Sequence, residues 1–258
     1  MPPPEAAALQ FDGVSAVRGG RLVWSEGTFE VPAGGIVAVI GSNGSGKTTL
    51  LQVVLGLVPP ASGRVRVFGA PPGAANDAIG YVPQNYVAGA GDAIRARDAV
   101  TLGITGRRWG LARTSAEDRR RVDEALAAVN ATDFADARLS QLSGGQRQRI
   151  AIAHALVARP RMLILDEPLA SLDLRSQHEL VALLARLNGE LGMTILVVAH
   201  DLAPLLGVLT SAIYLLDGHA HHAPIGTVVD ADLLTHLYGS DVDVAHTLQG
   251  QLYKRTTP

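Results

Sequence analysis

Ile36-Val-Ala-Val-Ile40-Gly41-Ser42-Asn43-Gly44-Ser45-Gly46-Lys47-Thr48-Thr49 sets the architecture of this 258-residue chain. The first five residues are apolar without alternation, the pattern of a parallel strand buried on both faces. Gly41–Thr48 then fits G-x-x-x-x-G-K-[ST]. Its glycines let successive backbone N–H groups approach phosphate oxygens, and the helix predicted over Thr48–Leu57 turns its positive dipole end to the same anion. In this pattern Lys47 bridges the β- and γ-phosphates and the Thr48 hydroxyl binds Mg²⁺. Ser42, Asn43, Gly44, Ser45, Gly46 and Thr49 complete the expected nucleotide-binding set. Only one other lysine, Lys254, occurs in the chain, so Lys47 is not one cation among many.

Downstream, Met162-Leu-Ile-Leu165-Asp166-Glu167 reads as a second buried strand that delivers two carboxylates at its C-terminal end. Ligands of open α/β sheets bind at that end. Asp166 is the candidate Mg²⁺ ligand, and Glu167 the candidate base that orients or deprotonates water. An Asp-Glu pair before Pro168 is by itself ordinary turn chemistry; the phosphate loop upstream gives it a function. Further strands are predicted at Leu22–Trp24, Thr28–Val31, Arg64–Phe68, Ile79–Val82, Thr194–Ala199 and Ala212–Leu215. Residues 92–158 read as mainly helical. Within them Arg121–Val129 places Val122, Leu126 and Val129 on one face, and Gly145–Ala158 is a second helix. Ser176–Leu191 is a third. The order β, helices, β, α, β predicts an α/β fold with a parallel core and an inserted helical segment.

At Leu142-Ser143-Gly144-Gly145-Gln146 the sequence resembles the ATP-binding-cassette (ABC) family, whose signature is this pentapeptide. Ser143 can cap the helix that starts near Gly145, while the glycines leave its N-terminus open, so the segment makes a second anion site. The resemblance implies that Ser143, Gly144, Gly145 and Gln146 close on the ATP held by another copy, in a head-to-tail homodimer. It covers about residues 8–240. It implies a P-loop NTPase (RecA-like) core with an antiparallel β subdomain and an inserted α-helical subdomain. The expected layout is one cassette over 1–258, with its core at about 7–91 and 159–225, the helical subdomain at about 92–158 and a tail at 226–258. By the same resemblance Gln84 contacts Mg²⁺ or the attacking water, His200 is the switch histidine near the γ-phosphate, and Ala170-Ser171-Leu172-Asp173 is the D-loop. One position departs from the family. Where an aromatic side chain usually stacks on adenine, the alignment of Val14–Gly20 puts Arg18, whose guanidinium can stack on a purine. Trp24 reads instead as an inward-packing strand residue.

Composition narrows the rest. The absence of cysteine excludes disulfide scaffolds, zinc ribbons and thiol nucleophiles, and a net charge of −2 gives no footprint for nucleic acid. The uncharged runs Val31–Gly46, Thr48–Gly63 and Leu202–Leu216 are interrupted by Gly or Pro and fall short of the roughly 20 residues of a spanning helix. Met-Pro-Pro-Pro-Glu has neither the basic start nor the apolar run of a signal peptide. A cytoplasmic ATPase, peripheral on the inner face of the membrane, is therefore expected. Its partners by resemblance are a transmembrane permease and, through it, a solute-binding protein.

Other family branches fit less well. The interval from Gln84 to Ser143 is too short for a long coiled coil, and the chain holds a single cassette. Asp136-Ala-Arg-Leu-Ser-Gln141 does not resemble the Gly-Glu-Arg-Gly element of exporters, and the flanks of the signature and D-loop look unlike the iron–sulfur-assembly ATPase. Arg97-Asp98-Ala-Val100 with Gly103, Val122–Leu126, Leu234–Gly239 and Val242-Asp-Val244 are similar to ATPases of zinc and manganese importers. A siderophore or cobalamin importer and a soluble assembly factor stay open as alternatives. His219-Ala-His221-His222 is read as a solvated turn rather than a metal site, since a specific site needs three or four convergent ligands. Arg107-Arg108 and Arg119-Arg120-Arg121 are read as solvated faces balanced by nearby acids.

Overall fold

The computed structural model describes residues 7–84, 86, 93–106 and 114–229, and the backbone of 243–246 and 252–255. The Arg107-Arg108 pair and Leu234–Gly239 lie outside the described residues. In chain order the main elements are β1 (Ala7–Arg18), β2 (Arg21–Pro32), β3 (Ile36–Gly41), α1 (Lys47–Val54), β4 (Ser62–Val67), β5 (Ile79–Val82), α2 (Ala96–Thr105), α3 (Ala116–Ala128), α4 (Gly144–Leu156), β6 (Met162–Asp166), α5 (Leu174–Leu191), β7 (Thr194–Val198), β8 (Ser211–Leu216) and β9 (His219–Pro224). A short hairpin, β10 (Asp243–His246) with β11 (Leu252–Arg255), follows. The chain divides into two compact units, one formed by Met1–Asn76 with Thr194–Pro258, the other by Asp77–Met193.

In the first unit the strand order is β4-β1-β2-β9-β8-β3-β7. All six residues of β3 are buried, and it pairs in parallel with β7 on one side and β8 on the other. This is the environment an unbroken apolar run requires. The β1, β2 and β4 end is antiparallel. There the predicted pieces Leu22–Trp24 and Thr28–Val31 merge into the twelve-residue β2, and β1, also twelve residues long, is not among the predicted strands. Bulges along β1 break its alternation, which hides it from a period-two reading. Its ladder is closed by Gly19-Gly20, both at positive φ, as a two-residue turn needs. Phe11 and Phe29 face each other across the ladder with rings stacked at 4.6 Å, and Trp24, wholly buried, lies tilted against Phe11.

The predicted turn at His219–His222 is a strand instead. Leu216 pairs with His219 across Asp217-Gly218, both at positive φ, and β9 runs antiparallel along β8. An Asp-Gly pair is a strong hairpin signal. It overrides the weak strand propensity of a His- and Ala-rich segment.

In the second unit β5 and β6 pair in parallel, Ile79 with Met162 through Val82 with Leu165. Helices α2, α3 and α4 share a core that includes Val100, Ile104, Val122, Leu126 and Ile150. The predicted face of Val122, Leu126 and Val129 is buried as expected. Arg120 bridges Glu117 and Glu124, and Arg121 pairs with Glu117, so these arginines lie on a charge-balanced exposed face. Ser115 caps α3 through a reciprocal box with Asp118.

At Gly103 of α2 a Cβ would stand 2.4 Å from the His154 carbonyl oxygen and 2.6 Å from Val157 Cγ1. Only glycine lets α2 approach α4 this closely. Gly103→Ala gains up to about 1 kcal/mol of helix propensity but forces backbone apart, an overpacking cost of about 1–3 kcal/mol. The cost wins: urea denaturation is expected to show a less stable variant with an unchanged m-value.

Candidate functional site

β3 ends at Gly41 and α1 begins at Lys47, so the phosphate loop joins a buried strand to a helix as its pattern demands. Gly41, Gly44 and Gly46 all take positive φ. Gly46 is the N-cap of α1 and no side chain caps that end, which leaves its first-turn N–H groups to face an anion. Lys47 is buried, and its Nζ donates to the carbonyl oxygens of Gly41 at 2.7 Å and Ser42 at 3.0 Å. The loop is thereby wrapped around a fixed cation. Ser42, Asn43, Gly44 and Thr48 are exposed, Ser45 is partly buried, and Thr49 is buried beneath them. A Cβ on Gly46 would lie 2.2 Å from Val23 Cγ1 and 2.9 Å from Trp24 Cδ1. Trp24 thus forms the floor of the loop, with its indole N–H buried and without a hydrogen-bond partner.

Strand register places two more residues of this unit. Val39 pairs with Val198, so two residues further on Gly41 and His200 leave the same edge of the sheet. His200 is exposed, and Asp201 beside it accepts from the Ala203 N–H at 3.0 Å. Arg18, at the end of the β1–β2 hairpin, donates to Gln52 Oε1 of α1 at 2.7 Å. That bond ties the hairpin tip to the helix behind the phosphate loop.

The second unit assembles the carboxylate side. Val82 is in register with Leu165, and two residues beyond that pair Gln84 Nε2 donates to Glu167 Oε2 at 2.6 Å. Glu167 has φ of +51°, a left-handed conformation that costs a non-glycine residue about 1–2 kcal/mol. Strain of this kind, held at a strand end by the buried Leu163–Leu165 run behind it and Pro168 in front, concentrates at functional positions. Asp166 ends β6 and accepts a hydrogen bond from Tyr81 on β5. Burial first, then the Asp166 charge and that hydrogen bond, push the Tyr81 phenol above its ordinary pKa, so it stays a donor. Tyr81 escaped the sequence reading because its role follows only from the β5–β6 register.

Ser143 caps α4 by a reciprocal box: its Oγ accepts from the Gln146 N–H at 3.2 Å and Gln146 Oε1 accepts from the Ser143 N–H at 2.9 Å. Ser143 and Gly144 are exposed. The D-loop packs against the same helix start. A Cβ on Gly144 would meet Leu172 at 3.4 Å, and one on Gly145 would meet Ser176 Oγ at 3.0 Å. Asp173 caps α5 by accepting from the Ser176 N–H at 2.7 Å, which holds its carboxyl below the usual range. Gln177 ties the loop down by donating to the carbonyl oxygens of Leu169 and Leu172. Signature and D-loop are one continuous, exposed surface of this unit.

A family model described as ABC transporter matches residues 25–170, more than half of the chain. The chain belongs to the ABC transporter family. This cassette is 38% identical over 198 residues to the zinc transport system ATP-binding protein TroB of Treponema pallidum, covering 76% of this chain and 74% of that one. It is 37% identical over 194 residues to the manganese transport system ATP-binding protein MntB of Bacillus subtilis, covering 75% and 77%. Among solved structures, an inward-facing ABC transporter assigned to the metal-chelate type superposes with a TM-score of 0.84 at 26% identity, over 97% of this chain and 98% of that one. The cassette therefore has the P-loop NTPase fold and is an ATP-binding, ATP-hydrolysing subunit. Among the described residues no helix is long and apolar enough to cross a membrane.

The capping box gives a direct test of the signature geometry. Ser143→Ala removes the side-chain acceptor of the Gln146 N–H and is expected to cost about 1 kcal/mol. Ser143→Asp, which can cap as well, should restore that stability in thermal or urea denaturation.

Proposed function

We propose that this cassette is the ATP-hydrolysing subunit of an importer for a divalent metal ion, zinc or manganese, working on the cytoplasmic face of a membrane with a permease and, through it, a solute-binding protein. The observation that carries the cargo reading is the similarity, over three quarters of the chain, to the ATP-binding proteins of a zinc and a manganese transport system. The proposed layout is a single cassette over 1–258 in which residues 92–158 form the helical subdomain that meets the permease and 226–258 form a tail.

In this reading the Gly41–Thr49 loop cradles the triphosphate, and Lys47 neutralises charge that grows on the β- and γ-phosphates. Arg18 stacks on the adenine. The Thr48 hydroxyl, the Asp166 carboxylate and the Gln84 amide oxygen are hard oxygen donors, the set that suits Mg²⁺. When bound there, the ion neutralises phosphate charge and polarises the γ-phosphoryl group. Glu167, kept in place by Gln84, accepts a proton from the attacking water, while His200 donates to the γ-phosphate from the β7 edge. Ser143, Gly144, Gly145 and Gln146 of a second copy cover the nucleotide, so that closure of a head-to-tail homodimer accompanies ATP binding and opening follows hydrolysis. The exposure of Ser143 and Gly144 supports this assignment.

Three measurements test the reading. Glu167→Gln should retain ATP, lower kcat by about 10²–10⁴-fold and accumulate an ATP-bound dimer in size-exclusion chromatography; normal turnover would remove Glu167 as the base. Lys47→Ala should weaken ATP binding by about 10–100-fold, the worth of charged hydrogen bonds to phosphate, in equilibrium titration. A deletion strain should lose zinc or manganese accumulation as measured by elemental analysis. Loss of a metal chelate with free-ion uptake intact would instead favour the cargo type of the metal-chelate structural relative.

A further inference from the structure

The transport reading leaves the His219-Ala-His221-His222 run without a role. As part of β9 its histidines are sorted by the pleat, because successive side chains point to opposite faces. His222 turns inward: its Nε2 is 2.9 Å from Ser211 Oγ, its ring lies 6.0 Å from Phe29, and burial pushes its pKa down. His219 and His221 share the other face, with ring centres 6.2 Å apart. His221 is exposed and His219 partly so.

Both rings are held by their neighbours. His221 stacks on Tyr214, its partner across the β8–β9 ladder, at 5.1 Å and 24°. His219 Nδ1 lies 3.4 Å from Ser25 Oγ, on the strand that pairs with β9 at that residue. The Ser25 hydroxyl donates to the Gly218 carbonyl oxygen, so toward His219 it acts as acceptor of an Nδ1–H and leaves the Nε2 lone pair to bind elsewhere, as outer partners do for histidine ligands. Two imidazoles on one tetrahedral metal, each with a metal–nitrogen distance of about 2.0–2.1 Å, have ring centres roughly 5 Å apart. At 6.2 Å the two ring centres stand about 1 Å wider than that separation.

We infer that His219 and His221 form a two-histidine site for a divalent transition-metal ion of the imidazole-preferring class, zinc-like rather than manganese-like, on the exposed face of β9. Among the described residues no group of three or more His, Cys, Asp or Glu is placed to hold a metal, so water completes the coordination and the ion exchanges readily. The pair sits at the sheet end from which the phosphate loop departs, since Gly41 pairs with Leu215 and Leu215 with Ala220, but it does not depend on which ion the transporter carries. Imidazole nitrogen favours zinc, nickel and copper over manganese and magnesium, which separates this pair from the oxygen donors assigned to Mg²⁺.

The test is calorimetric titration of Zn²⁺ into the untagged full-length chain with Mg²⁺ in excess. One saturable site is expected that His219→Ala or His221→Ala weakens at least about tenfold and the double variant abolishes. Ser25→Ala should weaken it less, as loss of an outer partner does. Mn²⁺ should bind it at least about tenfold more weakly than Zn²⁺, and His178→Gln, on the exposed face of α5, should leave it unchanged. His221→Gln, a change at an exposed position, replaces the alanine variant should that one unfold. Zinc binding that survives in the double variant, the absence of saturable binding below about 1 mM, or equal affinity for Mn²⁺ overturns the inference.

Discussion

The ammonium of Lys47, clasped by the carbonyl oxygens of Gly41 and Ser42, is the constraint around which the nucleotide-binding half is organised. A buried cation is stable only where acceptors surround it. Those acceptors are backbone atoms, so fixing the charge also fixes the path of the loop. The loop in turn can bend around Lys47 only with glycine at Gly41 and Gly46, since a Cβ at either would meet Ser45, Leu215, Val23 or Trp24. The sheet beneath supplies the rigidity. β3 sits between two parallel neighbours, and the β7 register delivers His200 to the edge where the loop departs.

The carboxylate half obeys a different logic. There the parallel pairing of β5 and β6 does the positioning, and the same offset that sets Val82 against Leu165 sets Gln84 against Glu167 and brings Tyr81 to Asp166. The left-handed backbone at Glu167 is strained, yet it turns the carboxylate toward Gln84 at the strand end. Signature and D-loop pack on each other where Leu172 faces Gly144 and Ser176 faces Gly145, and Gln177 fixes the D-loop from behind.

Much of this was legible in the sequence because the decisive signals are local. The unbroken apolar runs at Ile36–Ile40 and Met162–Leu165, the glycine spacing of Gly41–Thr48 and the capping box at Ser143 are each readable within a few residues. What was not legible depended on partners far away in the chain. β1 is disguised by bulges that only its pairing with β2 and β4 explains. Tyr81 acquires its role from β6, eighty residues on. β9 was mistaken for a turn because its composition is poor in strand formers. The Asp217-Gly218 pair ahead of it was the available signal, and it outweighs composition once β8 offers an edge.

Trp24 is one of only two tryptophans in the chain, and its indole is sealed under Gly46 with an N–H that bonds to nothing. A ring so placed emits from a dry surrounding, at short wavelength, and lies directly beneath the glycine that starts α1. The phosphate loop thus has an intrinsic fluorophore built into its floor, and any change in how Gly46 sits on the ring changes the surroundings of that fluorophore.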